Sequence, residues 1–170
     1  MKKIIKELIP YIIIIFVVIL IRTFIITPVQ VDGTSMFPTL KNNEILILKK
    51  YDKNYKRFDI VVLKYNGEKL IKRIIGLPGE YVKYENNKLY INDKEVKEDF
   101  KRNSDTEDFN ISVFFKDGEE IRIPDNYYFV LGDNRGNSTD SRIIGFINRE
   151  DIEGTVGFAL FPLDKFGKIK

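Results

Sequence analysis

The chain has 170 residues, 28 of them basic and 25 acidic, a formal net charge of +3, and neither histidine nor cysteine. Zinc sites draw mostly on His and Cys, disulfides need Cys, and an imidazole base needs His. Zinc chemistry, thiol chemistry, disulfide staples and histidine-based nucleophilic triads are therefore excluded, and no metal or cofactor is expected. The charge is local, because Lys2, Lys3, Lys6 and Arg22 against Glu7 account for the whole excess. The balanced remainder has no electrostatic footprint for nucleic acid.

Leu8 to Ile21 is a run of fourteen uncharged, almost wholly apolar residues. With Ile4 and Ile5 included and the lysines reaching back to the headgroups, a helix over about residues 4–22 approaches the ~20 residues that a bilayer core requires. Pro10 near its start is tolerable in lipid. No small-x-small site closes the run, so it reads as an uncleaved anchor and not as a removed secretory signal. Three lysines before the span and one arginine after it place the N-terminus in the cytoplasm by the positive-inside rule. The globular part then lies outside it, on a single-pass protein of the plasma membrane.

Beyond the anchor the periodicity is that of strands. The runs Ile25–Val31, Glu44–Leu48, Asp59–Leu63, Leu70–Ile75, Tyr127–Leu131 and Val156–Phe161 carry it. Turn signals fall between them at Lys41-Asn42-Asn43, Asn66-Gly67, Leu77-Pro78-Gly79 and Glu85-Asn86-Asn87. The fold class expected is mostly β, an antiparallel sheet preceded by one transmembrane helix. From about Tyr81 to Pro124 the composition shifts toward Lys, Glu, Asp and Asn. The expected organisation is an anchor over 1–22, a β-rich core formed by 23–80 and 125–170, and an inserted polar β subdomain over 81–124.

Three stretches carry chemistry. The first is Gly33-Thr34-Ser35-Met36-Phe37-Pro38-Thr39-Leu40, which presents a serine on a constrained loop like a nucleophile. Without histidine, its base must be a lysine or a carboxylate. The second is the strand bearing Lys72. Residues two apart on a strand share a face, so Lys72 lies beside Leu70 and Ile74, while Ile71, Arg73 and Ile75 point the other way. Apolar neighbours disfavour the charged amine. A lysine at its reference pKa of ~10.4 is neutral in about one molecule in 2500 at pH 7, whereas at ~8 it is neutral in about one tenth. The third stretch runs from Gly132 to Arg142, dense in turn formers and in acids and arginines able to pair and stiffen a loop.

Together the three stretches resemble the type I signal peptidases, also called leader peptidases, the membrane-bound serine–lysine enzymes that remove signal peptides from exported proteins. Ser35-Met36-x-Pro38-Thr39-Leu40 corresponds to the family's nucleophile box and Lys72-Arg73-Ile74-Ile75-Gly76-x-Pro78-Gly79-Glu80 to its lysine box. Gly132-Asp133-Asn134-Arg135-x-x-Ser138-x-Asp140-Ser141-Arg142-x-x-Gly145 corresponds to its third box, and Arg57-x-Asp59-Ile60-Val61-Val62 looks like its remaining core strand. One span and a compact ectodomain look like the short Gram-positive form.

The resemblance implies a serine endopeptidase with Ser35 as nucleophile and Lys72 as general base. Ser138 would orient the lysine, and Arg73 with Asp133 and Asp140 with Arg142 would brace the third box. Val29, Val31, Met36, Leu40, Leu70 and Ile71 would form shallow pockets for small residues before the cut. The implied partners are signal peptides of exported preproteins, the lipid bilayer and the secretion translocon, with no nucleic acid. One departure falls at the oxyanion hole, where some members carry a serine two positions before the nucleophile and this chain has Gly33. The backbone N–H of Ser35 remains as a donor. Two rival readings are a self-cleaving or pilin/transfer-type serine–lysine peptidase and a non-enzymatic membrane-anchored β module.

Overall fold

The computed structural model describes residues 2–114 and 121–169; positions 115–120 of the expected insertion lie outside the described residues. Helix α1 spans Lys2–Phe24. At 1.5 Å per residue its 23 residues extend about 34 Å, enough for a hydrocarbon core. Within it, Glu7–Phe24 has a mean hydropathy of 2.3 and buries nothing against the rest of the protein. A helix rich in Ile and Val has only modest propensity in water, but in lipid it satisfies every backbone group internally. The Thr27 hydroxyl donates to the Arg22 carbonyl at 2.7 Å, satisfying one of the groups orphaned at the helix end.

Strand β1 (Ile26–Gln30) follows at once and pairs with β2 (Ile45–Lys49). Then come β3 (Ile60–Tyr65) and β4 (Glu68–Gly76), joined by Asn66-Gly67 with φ of 50° and 83°. Positive φ at both central residues is the type I′ turn that matches strand twist, and Asn-Gly supplies it with little strain. The same device recurs at Asn86-Asn87, between β5 (Val82–Glu85) and β6 (Lys88–Ile91), and at Asn92-Asp93, before β7 (Lys94–Val96). The chain continues through β8 (Phe109–Asn110), β9 (Tyr127–Leu131), a one-turn helix α2 (Ser141–Ile144), β10 (Ile147–Asn148), β11 (Ile152–Phe161) and β12 (Gly167–Lys168).

Among the described residues every strand pair is antiparallel. The larger sheet has the order β1-β2-β11-β3-β4-β9-β10 with β12 added to β11, and the smaller has the order β7-β6-β5-β8. The alternation of β4 decides what packs where. Ile71 joins Val31, Met36, Leu40 and Val62 in one core cluster, whereas Leu70 and Ile74 pack on the opposite face with Val61 and Val130. Ile75, Phe129 and Leu131 at the end of the large sheet form a third cluster with Val82, Tyr84, Leu89 and Ile111 of the smaller one. The two sheets therefore meet through a common apolar core, which brings the polar segment after β7 close to β4 and the loop after β9.

Strand β11 is the long central member, and its register against β3 shifts between Ile152 and Gly154. A methyl group at Gly154 would sit 2.0 Å from the Lys49 carbonyl oxygen and 3.1 Å from Leu48 Cδ1. Backbone cannot yield as a side chain can, so Gly154→Ala should lower stability by about 2 kcal/mol, within the usual range for overpacking. Urea unfolding in detergent reads this as a fall in the midpoint at unchanged slope. An unchanged midpoint would mean that β11 and β2 are not held this closely.

Candidate active site

Ser35 sits in the turn between β1 and β2. Gly33 has a φ of +91°, and a Cβ there would touch nothing, so it is the backbone angle that calls for glycine. The Phe37 N–H donates to the Thr34 carbonyl at 3.0 Å and the Leu40 N–H to the Met36 carbonyl at 2.9 Å. Met36 and Leu40, each 1% exposed, pin the turn to the core.

Lys72 lies in the middle of β4 opposite Val61 of β3 and is 2% exposed. Its Nζ is 2.8 Å from Ser35 Oγ and 3.0 Å from the Ile71 carbonyl oxygen. Burial lowers its pKa to about 8, against the opposing charge of Asp140. The pleat places Leu70 and Ile74 on its face, as the sequence pattern requires.

The loop from Gly132 to Asp140 closes the third side. Asp133, fully buried, takes two hydrogen bonds from Arg73, Nε at 2.9 Å and Nη2 at 2.6 Å, and a third from the Thr39 hydroxyl at 2.6 Å. Arg73 also donates to the Phe58 carbonyl at 2.9 Å, and its guanidinium carbon stands 4.0 Å from the centre of the Phe100 ring. Asp140 accepts from the Gly132 N–H at 3.0 Å and from Arg142 Nε and Nη2 at 2.9 and 2.8 Å, and it caps α2. Gly132 is required by space: a Cβ there would lie 2.2 Å from Ser138 Oγ and 2.5 Å from the Ser35 carbonyl oxygen.

Ser35, Lys72, Arg73, Asp133, Asp140, Arg142 and Ser138 are thus gathered around one point. The contact expected between Ser138 and the lysine is not made: Ser138 Oγ is shielded from solvent without a hydrogen-bond partner among the described residues. It lies toward the Gly132 and Ser35 backbone, while the amine is held by Ser35 and the Ile71 carbonyl. Of the six expected pocket residues, Val31, Met36, Leu40, Ile71 and the half-buried Val29 pack together. Leu70 does not join them. It precedes Ile71 on a strand and so faces the other side of the sheet, where it packs in a different cluster. Among the described residues no three His, Cys, Asp or Glu side chains converge to hold a metal ion.

Sequence reasoning placed Thr39, Asn134 and Arg135 within the motif boxes but gave them no role, and it missed the segment Glu98–Thr106. Arg135 is buried and donates to Tyr84, Thr106 and Glu98. A sequence offers no sign that Glu98, in a charged stretch, is the partner of a buried arginine 37 residues away. Asn134 had one available signal, its place beside Asp133 in the third polar stretch.

The family described as signal peptidase, peptidase S26, matches residues 2–161. The chain is 41% identical to signal peptidase I of Bacillus amyloliquefaciens over 160 residues, covering 89% of this chain and 85% of that protein. It is 42% identical to signal peptidase I S of Bacillus subtilis (strain 168) over 158 residues, covering 88% and 85%. A crystal structure of a signal peptidase I from Enterococcus faecalis V583 superposes with a TM-score of 0.54 at 38% identity, over 60% of this chain and 96% of that one. The chain therefore belongs to the signal peptidase family, peptidase S26, a family of serine proteases.

The buried amine has a measurable effect on stability. Its pKa is near 10.5 when unfolded and about 8 when folded, so between these values the unfolded chain binds more protons and stability rises with pH. Below pH 8 the full opposing effect of roughly 3 kcal/mol is present, and above 10.5 it is gone. Lys72→Met should therefore gain stability relative to wild type at pH 7, and this advantage should shrink by roughly 3 kcal/mol as pH approaches 10.5. An equal difference at pH 7 and 10.5 would show that the amine titrates normally.

Proposed function

We propose that this chain removes N-terminal signal peptides from exported preproteins through a Ser35–Lys72 dyad. The observation that carries the reading is the 2.8 Å contact between a shielded lysine amine and a loop serine, in a chain without histidine. Neutral Lys72 takes the Ser35 proton as Oγ attacks the carbonyl at the cleavage site. The tetrahedral oxyanion collapses to an ester-linked acyl-enzyme, and the new amino terminus of the mature protein leaves with a proton from Lys72. Lys72 then takes a proton from the water that attacks the ester, and returns it to Ser35 Oγ as the ester bond breaks and the signal peptide leaves as a carboxylate. With a pKa of about 8 the amine is already neutral in about one molecule in ten at pH 7.

The Ser35 N–H supplies an oxyanion donor, and among the described residues it is committed to no other hydrogen bond. The ion pairs Arg73–Asp133 and Asp140–Arg142 brace the surrounding loops, and Ser138 remains available to the amine or to an approaching water. Val29, Val31 and Ile71 border the shallow walls that favour small residues before the cut, with Met36 and Leu40 behind them. Residues 23–80 and 125–170 act as the catalytic core, 81–124 as its insertion and 1–22 as the anchor. The anchor lies in the plasma membrane with its N-terminus in the cytoplasm, beside the translocon that delivers precursors, and the catalytic part faces outward.

Purified full-length protein in detergent should cut an exported precursor at its signal-peptide junction. Ser35→Ala should lose at least ~10³-fold of this activity. Lys72→Arg keeps the charge but does not release its proton, so it should be as inactive as Lys72→Ala. Wild-type cleavage should rise with pH and level off above about 8. Appreciable cleavage by Ser35→Ala would remove the serine from its role, and an active arginine variant would require another base.

The orientation has its own test. Protease added outside intact spheroplasts should digest the region after Arg22 and leave a tag on the N-terminus untouched. Protection of that region, under conditions that digest known external proteins, would reverse the topology.

A further inference from the structure

Both carbonyls that flank the nucleophile's own peptide units are held by one side chain's residue. The Asn134 N–H donates to the Ser35 carbonyl at 3.0 Å, and Asn134 Nδ2 donates to the Thr34 carbonyl at 3.2 Å. The second contact matters for chemistry. The Thr34 C=O and the Ser35 N–H belong to one planar trans peptide and point in opposite directions, so holding the first aims the second. The Phe37 N–H shares the Thr34 oxygen at 3.0 Å, which fixes that atom from within the turn but leaves rotation about the shared contact to be stopped from the other side.

What keeps the Asn134 carboxamide in this pose comes from the inserted segment. Asn103 Nδ2 donates to Asn134 Oδ1 at 3.1 Å, and the Asn103 N–H donates to the Asp133 carbonyl at 3.1 Å. Only one orientation of the Asn134 amide serves both neighbours, with its oxygen toward Asn103 and its nitrogen toward Thr34. The segment that delivers Asn103 is tied at both ends by the buried Arg135, which reaches Glu98 at 2.6 Å and the Thr106 hydroxyl at 2.6 Å. Between those ties Phe100 lies over the Arg73 guanidinium.

The geometry points to Asn103 and Asn134 as positioning residues that set the plane of the Thr34–Ser35 peptide and so aim the Ser35 N–H at the developing oxyanion. This rests on the reading of Ser35 as the nucleophile. The pair touches no substrate atom. It acts on charge that appears only in the transition state, so its loss lowers kcat and leaves KM nearly unchanged.

Asn103 is exposed, so substitution there leaves the core intact. In Asn103→Ala a water can replace the lost donor, and kcat should fall about threefold or less. Asn103→Asp is the sharper variant, because its carboxylate repels Asn134 Oδ1 and attracts Nδ2. The amide then turns, and its oxygen meets the Thr34 carbonyl. For this variant kcat on a precursor peptide should fall about 10-fold, with KM within about twofold and the unfolding temperature within a few degrees of wild type.

A double-mutant cycle separates this role from a merely structural one. If Asn103 acts through Asn134, then adding Asn103→Asp to Asn134→Ala should change kcat by less than about twofold. The proposal is overturned if Asn103→Asp alone keeps wild-type kcat, or if it lowers kcat equally with and without Asn134. Ser35→Ala, run beside these, keeps the two readings apart. Residual cleavage by that variant would defeat the serine assignment, whereas an inactive Ser35→Ala with a fully active Asn103→Asp would defeat only this one.

Discussion

A lysine gives up its proton near neutral pH only where its charged form is held at a disadvantage, and in this protein that disadvantage is burial of the Lys72 amine in the middle of β4. The position supplies it: β4 lies between β3 and β9 in the large sheet, with Leu70 and Ile74 on the face of the lysine. The Asp140 carboxylate works against it. An unpaired Asp140 would hold the proton on the amine more firmly than the observed one, whose charge is engaged by two nitrogens of Arg142 and the Gly132 N–H. Asp133 is engaged in the same way by Arg73 and Thr39. The Asp140–Arg142 pair thus has an electrostatic office besides a mechanical one: it occupies negative charge that would otherwise stabilise the ammonium.

Much of this was legible in the sequence because it is local. The alternation of β4 by itself tells that Lys72 shares a face with Leu70 and Ile74, and Asn-Gly and Asn-Asn pairs announce hairpins through their tolerance of positive φ. The same alternation shows why Leu70 and Ile71 do not line one wall. What the sequence could not display are contacts that join distant segments without a pattern. Ser138 lies within reach of the site, yet whether its hydroxyl meets the amine depends on the path of the Gly132 backbone, where a single Cβ would not fit. Glu98, Asn103 and Thr106 lie in a charged stretch that reads as solvated surface. They matter because Arg135 emerges beneath them from the other side of the insertion.

The smaller sheet gains a role from this. Its apolar side shares a cluster with Phe129 and Leu131, and its polar strap crosses the loop that follows β9. A buried arginine is worth keeping only where each of its donors finds an acceptor, and Arg135 finds them in Gly132, Tyr84, Thr106 and Glu98. Together they fasten two sheets across the turn that bears the serine.

Sequence separation adds a consequence in time. The turn bearing Ser35 is braced by Asp133 and Asn134, partners 94 to 100 positions further along. A ribosome working at about 5 to 20 residues per second needs roughly 5 to 20 s to pass from residue 35 to residue 140. During that interval the greasy helix is already made and free to enter the bilayer, while the serine stands on a loop without its far supports. A site assembled from both halves of the chain is complete only once residue 134 has been made, well after the apolar helix has left the ribosome.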